Sequence, residues 1–171
     1  MSAAWFGPSS AYEKHGVGEK YAMSTVMGLD FGQKRIGVAI SDETMVIATP
    51  VGAIDFSSRK QLLEELTKLM DAYRVVKIVV GLPKTLQGEI GPAAQKVTEH
   101  VEWLKTYIDK PWIFWDERLS TREVERVLLA ADMSRAKRKG VRDKLAAQRI
   151  LQSYLDASRI HSPDSSREDS N

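Results

Sequence analysis

The chain has no cysteine. That excludes disulfides and thiolate metal sites and suits a reducing compartment. Histidine is scarce: His15, His100 and His161 are too scattered for a histidine metal cluster or a catalytic triad. No apolar run approaches the ~20 residues of a membrane span. The start lacks the charged, apolar and small-residue order of a signal peptide. The expectation is a cytoplasmic protein with no membrane partner. No strong charge of one sign is present either: 25 Lys and Arg stand against 23 Asp and Glu, a net of +2. Overall charge therefore does not announce a nucleic-acid binder.

What is there is ordinary globular material. With 171 residues, 43% hydrophobic and 28% charged, the chain can bury a sizeable core as one domain. Charge is uneven along it. From Arg118 to Arg149 ten Lys or Arg face four Asp or Glu, a local excess of six, and phosphate backbones respond to such local density rather than to the total. Residues 1–25 are rich in Ser, Gly, Ala and Tyr without periodicity and read as a flexible extension; Met23 is an alternative initiator there. Residues 160–171 are polar, lack core residues and read as a disordered tail.

Between these ends, residues 26–159 read as one domain with a regular pattern. Strands are expected at 26–31, 35–41 and 46–55, separated by Gly32 and by Asp42-Glu43-Thr44. Gln61 to Tyr73 carries Leu62, Leu63, Leu66, Leu69 and Met70 at helical spacing. Val75 to Val80 is a continuous apolar run, as in a strand buried on both faces. Pro92 to Tyr107 predicts a helix with Ala93, Val97, Val101 and Leu104 inward, and Trp112 to Trp115 a strand. Helices are expected over 121–131 and 143–158. The order implies an α/β fold with a mixed sheet and helices on both faces.

Three separated carboxylate segments carry the chemistry. Asp30 ends the apolar run Val26 to Leu29, just before the glycine turn, on a rigid strand end beside a tight hairpin. Asp116 and Glu117 close the fifth strand, ahead of the capping box Ser120-Thr121-Arg122-Glu123. They point to opposite sides if the strand runs through both, so one of them faces any shared site. Asp143 is expected to open the last helix and to share the face of its buried stripe, Ala146, Ala147, Ile150, Leu151, Tyr154 and Leu155. Each has a plainer reading: a turn former, a strand end, and an acid suited to a helix N-terminus. Together they suit hard cations, which take oxygen ligands. Two Mg²⁺ or Mn²⁺ ions about 4 Å apart activate a water and stabilise the leaving oxygen in phosphodiester hydrolysis.

Basic residues flank these acids. Lys34 and Arg35 adjoin the hairpin, Lys84 follows Gly81-Leu82-Pro83, and Arg118 follows Glu117. The run Arg135, Lys137, Arg138, Lys139 and Arg142 reads as a mobile loop just before Asp143. Such a loop gathers a polyanion without reading sequence. Trp103 and the strand tryptophans read as packed rather than base-stacking. An Asp-x-Gly hairpin also occurs in actin-like phosphotransferases, but those need a second, duplicated domain, for which this chain is too short.

Four segments carry a family resemblance: the Asp30 hairpin, Val79-Val80-Gly81-Leu82-Pro83, Asp116 to Thr121, and Asp143 to Leu155. In this order and spacing the chain resembles the YqgF/RuvX family of the RNase H-like superfamily, described as Holliday junction resolvases and as nucleases maturing pre-16S ribosomal RNA. The resemblance implies five strands with the second antiparallel to the rest, and favours Glu117 over Asp116. It implies Asp30, Glu117 and Asp143 as catalytic metal ligands. The family has an apolar residue before the last aspartate, where this chain has Arg142. Structured RNA is the preferred substrate. Branched DNA, cut by a symmetric homodimer, and a non-catalytic nucleic-acid-binding module are the alternatives.

Overall fold

The computed structural model describes residues 24–85, 87–116 and 135–160, the last segment with its side chains from 145 onward. Expectations for 1–23, for the helix over 121–131 and for 161–171 lie outside the described residues. Five strands, β1 (Thr25–Phe31), β2 (Arg35–Ser41), β3 (Ala48–Asp55), β4 (Val75–Leu82) and β5 (Trp112–Asp116), form one sheet in the order β3-β2-β1-β4-β5. β2 is antiparallel to β1 and β3, while β1, β4 and β5 run parallel. The mixed sheet with an antiparallel second strand is as expected.

Strand alternation sorts the core into two layers. Met27, Leu29, Ile36, Val38, Ile78 and Val80 face α1 (Arg59–Ala72) and α2 (Pro92–Lys105), whose Leu62, Leu66, Val97, Val101 and Leu104 pack with them. Val26, Ala39, Ala48 and Val79 face α3 (Arg135–Ile160), which contributes Ala147, Ile150, Leu151 and Leu155. Each fully buried aliphatic side chain of this kind contributes about 1.5–3 kcal/mol. The sheet is therefore covered on both sides.

Several boundaries differ from the periodicity, each for a local reason. β1 starts at Thr25, whose N–H donates to the Arg74 carbonyl at 3.2 Å. α1 starts at Arg59 rather than Gln61, because the Ser58 side chain accepts from the Gln61 N–H and caps the first turn. In α2 Ala94, not Ala93, is buried, in step with Val97, Val101 and Leu104. β3 starts at Ala48 rather than 46, since Asp42 Oδ1 accepts the Val46 and Ile47 amides at 2.8 Å each and holds them in a turn.

The largest difference concerns α3. Residues 135–142 form its first turns and not a loop, so Asp143 lies in the third turn and does not open the helix. The segment has no proline, and five of its eight residues are Arg or Lys, good helix formers that outweigh Gly140. It continues a helix already docked through Ala147 to Leu155, and propagation costs far less than nucleation. A first-turn capping role for Asp143 is thereby removed.

Candidate active site

The site is built on the face of β1 that α3 covers. Val26, Gly28 and Asp30 alternate onto it, and Val26 joins the α3 layer. A Cβ placed on Gly28 would come to 2.6 Å from Leu151 Cβ and 3.1 Å from the Ala147 carbonyl oxygen. Only glycine lets the helix lie this close to the strand. Two residues on, Asp30 stands half-buried, opposite Gly37 of β2. A Cβ on Gly37 would lie 3.5 Å from Ala147 Cβ and 3.6 Å from Asp30 Cβ, so α3 and Asp30 converge on one point. On the other side, β4 pairs Leu29 with Val80, which brings Gly81 level with Asp30. The carboxylate thus rises from a floor of glycines at the carboxyl ends of β1 and β4.

The direction of α3 follows from the same contacts. Leu151 lies over Gly28 and Ala147 over Gly37, beside Asp30, so the helix climbs toward the Asp30 end as its numbering falls. Asp143 is one turn before Ala147, about 6 Å further along the axis and on nearly the same face. Its backbone position therefore comes to the edge that carries Asp30. Its side chain is outside what is described, as is the whole of Glu117.

Asp116 can be placed. Ile113 and Trp115 belong to the α3 layer, and Phe114 to the α1/α2 layer. Asp116, paired with Leu82, follows Phe114 by alternation and lies on the face opposite Asp30. Its Oδ2 is 3.5 Å from Lys84 Nζ, with side chains 15% and 31% exposed, a pair better shielded than Arg35–Asp55 on the β2–β3 ladder. Lys84, expected to contact nucleic acid, is thus engaged with Asp116. Arg35 is likewise paired, its Nε 3.6 Å from Asp55 Oδ1 across the β2–β3 ladder. Lys34 is exposed in the hairpin turn, which the Gly32 N–H closes on the Arg35 carbonyl at 2.9 Å. Arg118 lies outside the described residues.

For Arg135, Lys137, Arg138, Lys139 and Arg142 the finding that matters is the helix itself. Spacings of three, four and seven residues put Arg135, Arg138, Lys139 and Arg142 on one stripe of α3, with Lys137 on the other side. Trp103 and Trp115 are packed as expected: Trp103 against Tyr107 with the Arg59 guanidinium over its ring, and Trp115 against Tyr154 with its Nε1 donating to Ser153 Oγ at 3.1 Å. His100 packs on Phe31 and Phe56, on the far side of the strand from Asp30.

Among the described residues, no three acidic or histidine side chains gather as a metal cluster. Nor is any described helix long and apolar enough to cross a membrane. Asp30, a carboxylate on a rigid strand end over a floor of small residues, fits a hard divalent cation in donor chemistry. Sequence reasoning assigned no role to Gly28 and Gly37. The available signal was a glycine two residues before a strand carboxylate, which marks a close backbone approach.

Residues 24–157 match the family described as "RuvX: Holliday junction resolvase". The chain belongs to the RuvX family. A RuvX relative from Halothermothrix orenii, named "Putative pre-16S rRNA nuclease", is 49% identical over 130 residues, covering 76% of this chain and 93% of that protein. One from Thermoanaerobacter pseudethanolicus with the same name is 53% identical over 133 residues, 77% of this chain and 96% of that protein. The fold of this RuvX chain is shared with T. thermophilus RuvC in complex with Holliday junction substrate, at TM-score 0.55 and 13% identity, covering 81% of this chain and 97% of that one. The expected RNase H-like fold is borne out.

Proposed function

We propose that this chain is a divalent-metal-dependent nuclease that hydrolyses phosphodiester bonds in structured RNA, acting in maturation of the 16S ribosomal RNA precursor. The observation that carries the reading is the convergence of Asp30 and α3 over the glycine floor, which brings the backbone of Asp143 to the same edge. The RNA substrate rests on the names of relatives that are about half identical over nearly their whole length. Asp30, Glu117 and Asp143 are the proposed ligands of two Mg²⁺ or Mn²⁺ ions. Glu117 is preferred to Asp116 because Asp116 lies on the face of the sheet away from Asp30, and the family resemblance favours Glu117.

Bound divalent ions would supply Lewis acidity to the attacking water and the leaving oxygen. The chain's own part is to hold its carboxylates on two strand ends and a packed helix, rigid supports for such a constellation. The stripe of Arg135, Arg138, Lys139 and Arg142 would take successive phosphates of the substrate backbone, giving salt-dependent affinity without base reading. A cysteine-free chain with an rRNA substrate belongs in the cytoplasm. The second reading, resolution of branched DNA by a homodimer, is favoured by the family's description.

The test is cleavage of a labelled structured RNA precursor and a four-way DNA junction with Mg²⁺, Mn²⁺ or chelator, with Asp30→Asn alongside. Metal-dependent cutting lost in Asp30→Asn is the expected result, and the better substrate chooses between the two readings. Salt-sensitive binding with no cutting under any metal would replace both with a binding module.

A further inference from the structure

α3 carries two side chains that the nuclease reading does not use. Gln148 and Gln152, one turn apart, both reach the start of β3. Gln148 Nε2 donates to the Ala48 carbonyl at 2.9 Å, and the Ala48 N–H donates to Gln152 Oε1 at 2.8 Å. Gln152 Nε2 donates in turn to the Val46 carbonyl at 2.8 Å and to Asp156 Oδ1 at 3.0 Å. Ala48 is 1% exposed, so its backbone groups have to be met within the fold. Two helix amides meet both of them.

Two further hydrogen bonds join α3 to the sheet, Trp115 Nε1 donating to Ser153 Oγ at 3.1 Å and Lys77 Nζ to the Tyr154 hydroxyl at 3.2 Å, but they reach side chains rather than strand backbone. Ala147, Ile150, Leu151 and Leu155 pack against Val26, Ala39 and Val79 through apolar contacts, whose stabilisation depends on area rather than alignment. A shift of α3 by one residue would move it about 1.5 Å along its axis and turn it by about 100°. All three bonds to Val46 and Ala48 would then break and the apolar stripe would turn from the sheet, whereas a slide of about 1 Å without rotation would keep most of the apolar contact but misalign these bonds. The apolar stripe therefore fixes which face of α3 meets the sheet, and the bonds to a fixed strand set its position along the axis, and so its register. Asp143 lies five residues before Gln148 on the same continuous helix, so that register is also its register.

We propose that Gln148 and Gln152 are positioning residues that set α3 on the sheet and thereby hold Asp143 at the distance from Asp30 that a metal site requires. This rests on the reading that those two acids bind metal together. Outer-shell partners that orient metal ligands affect metal affinity or activity by about 10–100-fold when removed, and Gln148 and Gln152 act in the same way through the helix that carries Asp143.

The experiment uses the full chain and measures Mn²⁺ binding directly, from the electron paramagnetic resonance signal of free Mn²⁺, without nucleic acid. Melting temperature and the KM for labelled RNA are read in parallel. Gln152→Ala and Gln148→Ala are expected to weaken Mn²⁺ binding about tenfold or more, with the KM for RNA within about twofold of wild type. Gln148→Met, which keeps the side-chain length and removes the bond to Ala48, is expected to do the same and stands in if Gln152→Ala does not fold. Val101→Ala, in the layer on the other face of the sheet, lowers the melting temperature but leaves Mn²⁺ affinity unchanged. Asp30→Asn and Asp143→Asn should abolish binding. If they do while all the Gln variants bind like wild type, the positioning role is wrong and the metal reading stands. If Asp30→Asn and Asp143→Asn bind Mn²⁺ normally, the metal reading has failed and the positioning role with it.

Discussion

Gly28→Ala adds one methyl group where α3 rests on β1. The new Cβ would sit 2.6 Å from Leu151 Cβ and 3.1 Å from the Ala147 carbonyl oxygen. Relaxed carbon–carbon contact is about 3.5–4.0 Å, so α3 has to retreat by about 1 Å. Neither obstacle can swing aside, since one is a Cβ and the other is backbone. Overpacking of this kind costs about 1–3 kcal/mol, and at about 4 °C per kcal/mol for a domain of this size the melting temperature falls by about 4–12 °C. The same retreat carries Asp143 away from Asp30, and a misplacement of about 1 Å lowers turnover by about 10²-fold. Calorimetry and cleavage of labelled RNA, assayed where the variant is still folded, read the two effects separately. Leu151→Ala does not rescue Gly28→Ala, because alanine keeps the colliding Cβ. A variant that melts and cuts like wild type would refute the close approach and the placement of Asp143 that follows from it.

Three further outcomes are expected. Burial pushes the Asp42 carboxyl up, but the amides of Ile47, Val46 and Thr44 and the Thr44 hydroxyl donate to it and bring it below its ordinary value of 3.8. A depressed carboxyl stabilises the fold above that value and loses the effect as pH falls through the folded one. Asp42→Asn should therefore melt lower than wild type at neutral pH and converge with it in acid; a gap that stays constant with pH would contradict this. Arg138→Ala and Lys139→Ala should each reduce the slope of log affinity for RNA against log salt by about 0.7–0.9, whereas Lys137→Ala, off the stripe, should leave it unchanged. Equal effects from Lys137 would mean that the helical stripe does not track the backbone. Leu66→Ala, in the layer away from the site and fully buried, should cost about 2–5 kcal/mol by denaturant titration while leaving turnover per folded molecule intact.

Much of the fold was legible because its signals are local. Alternation and apolar runs located all five strands to within about two residues. The leucines of α1 and the Ala147 to Leu155 stripe of α3 declared their helices through spacing alone. Asp30 stood out because a carboxylate ending an apolar run before a glycine turn is a strand end. Where expectations missed, a side chain or a packed neighbour intervened. Asp42 captured two amides and shortened β3, Ser58 lengthened α1, and the docked half of α3 carried the basic segment ahead of it into helix.

By itself the sequence determined the five strands and the cores of the helices, which faces are apolar and which residues can bring oxygen ligands and positive charge. These depend on contacts within a few residues along the chain. The tertiary structure decided what stands next to what. Asp116 was sent to the far face by the pairing of β5 with β4, Gly28 admitted Leu151, and Ala48 met two glutamines about a hundred residues away. Such juxtapositions depend on the register between elements, which is set by a missing Cβ at one point and directional hydrogen bonds at another, and neither leaves a periodic trace in the sequence.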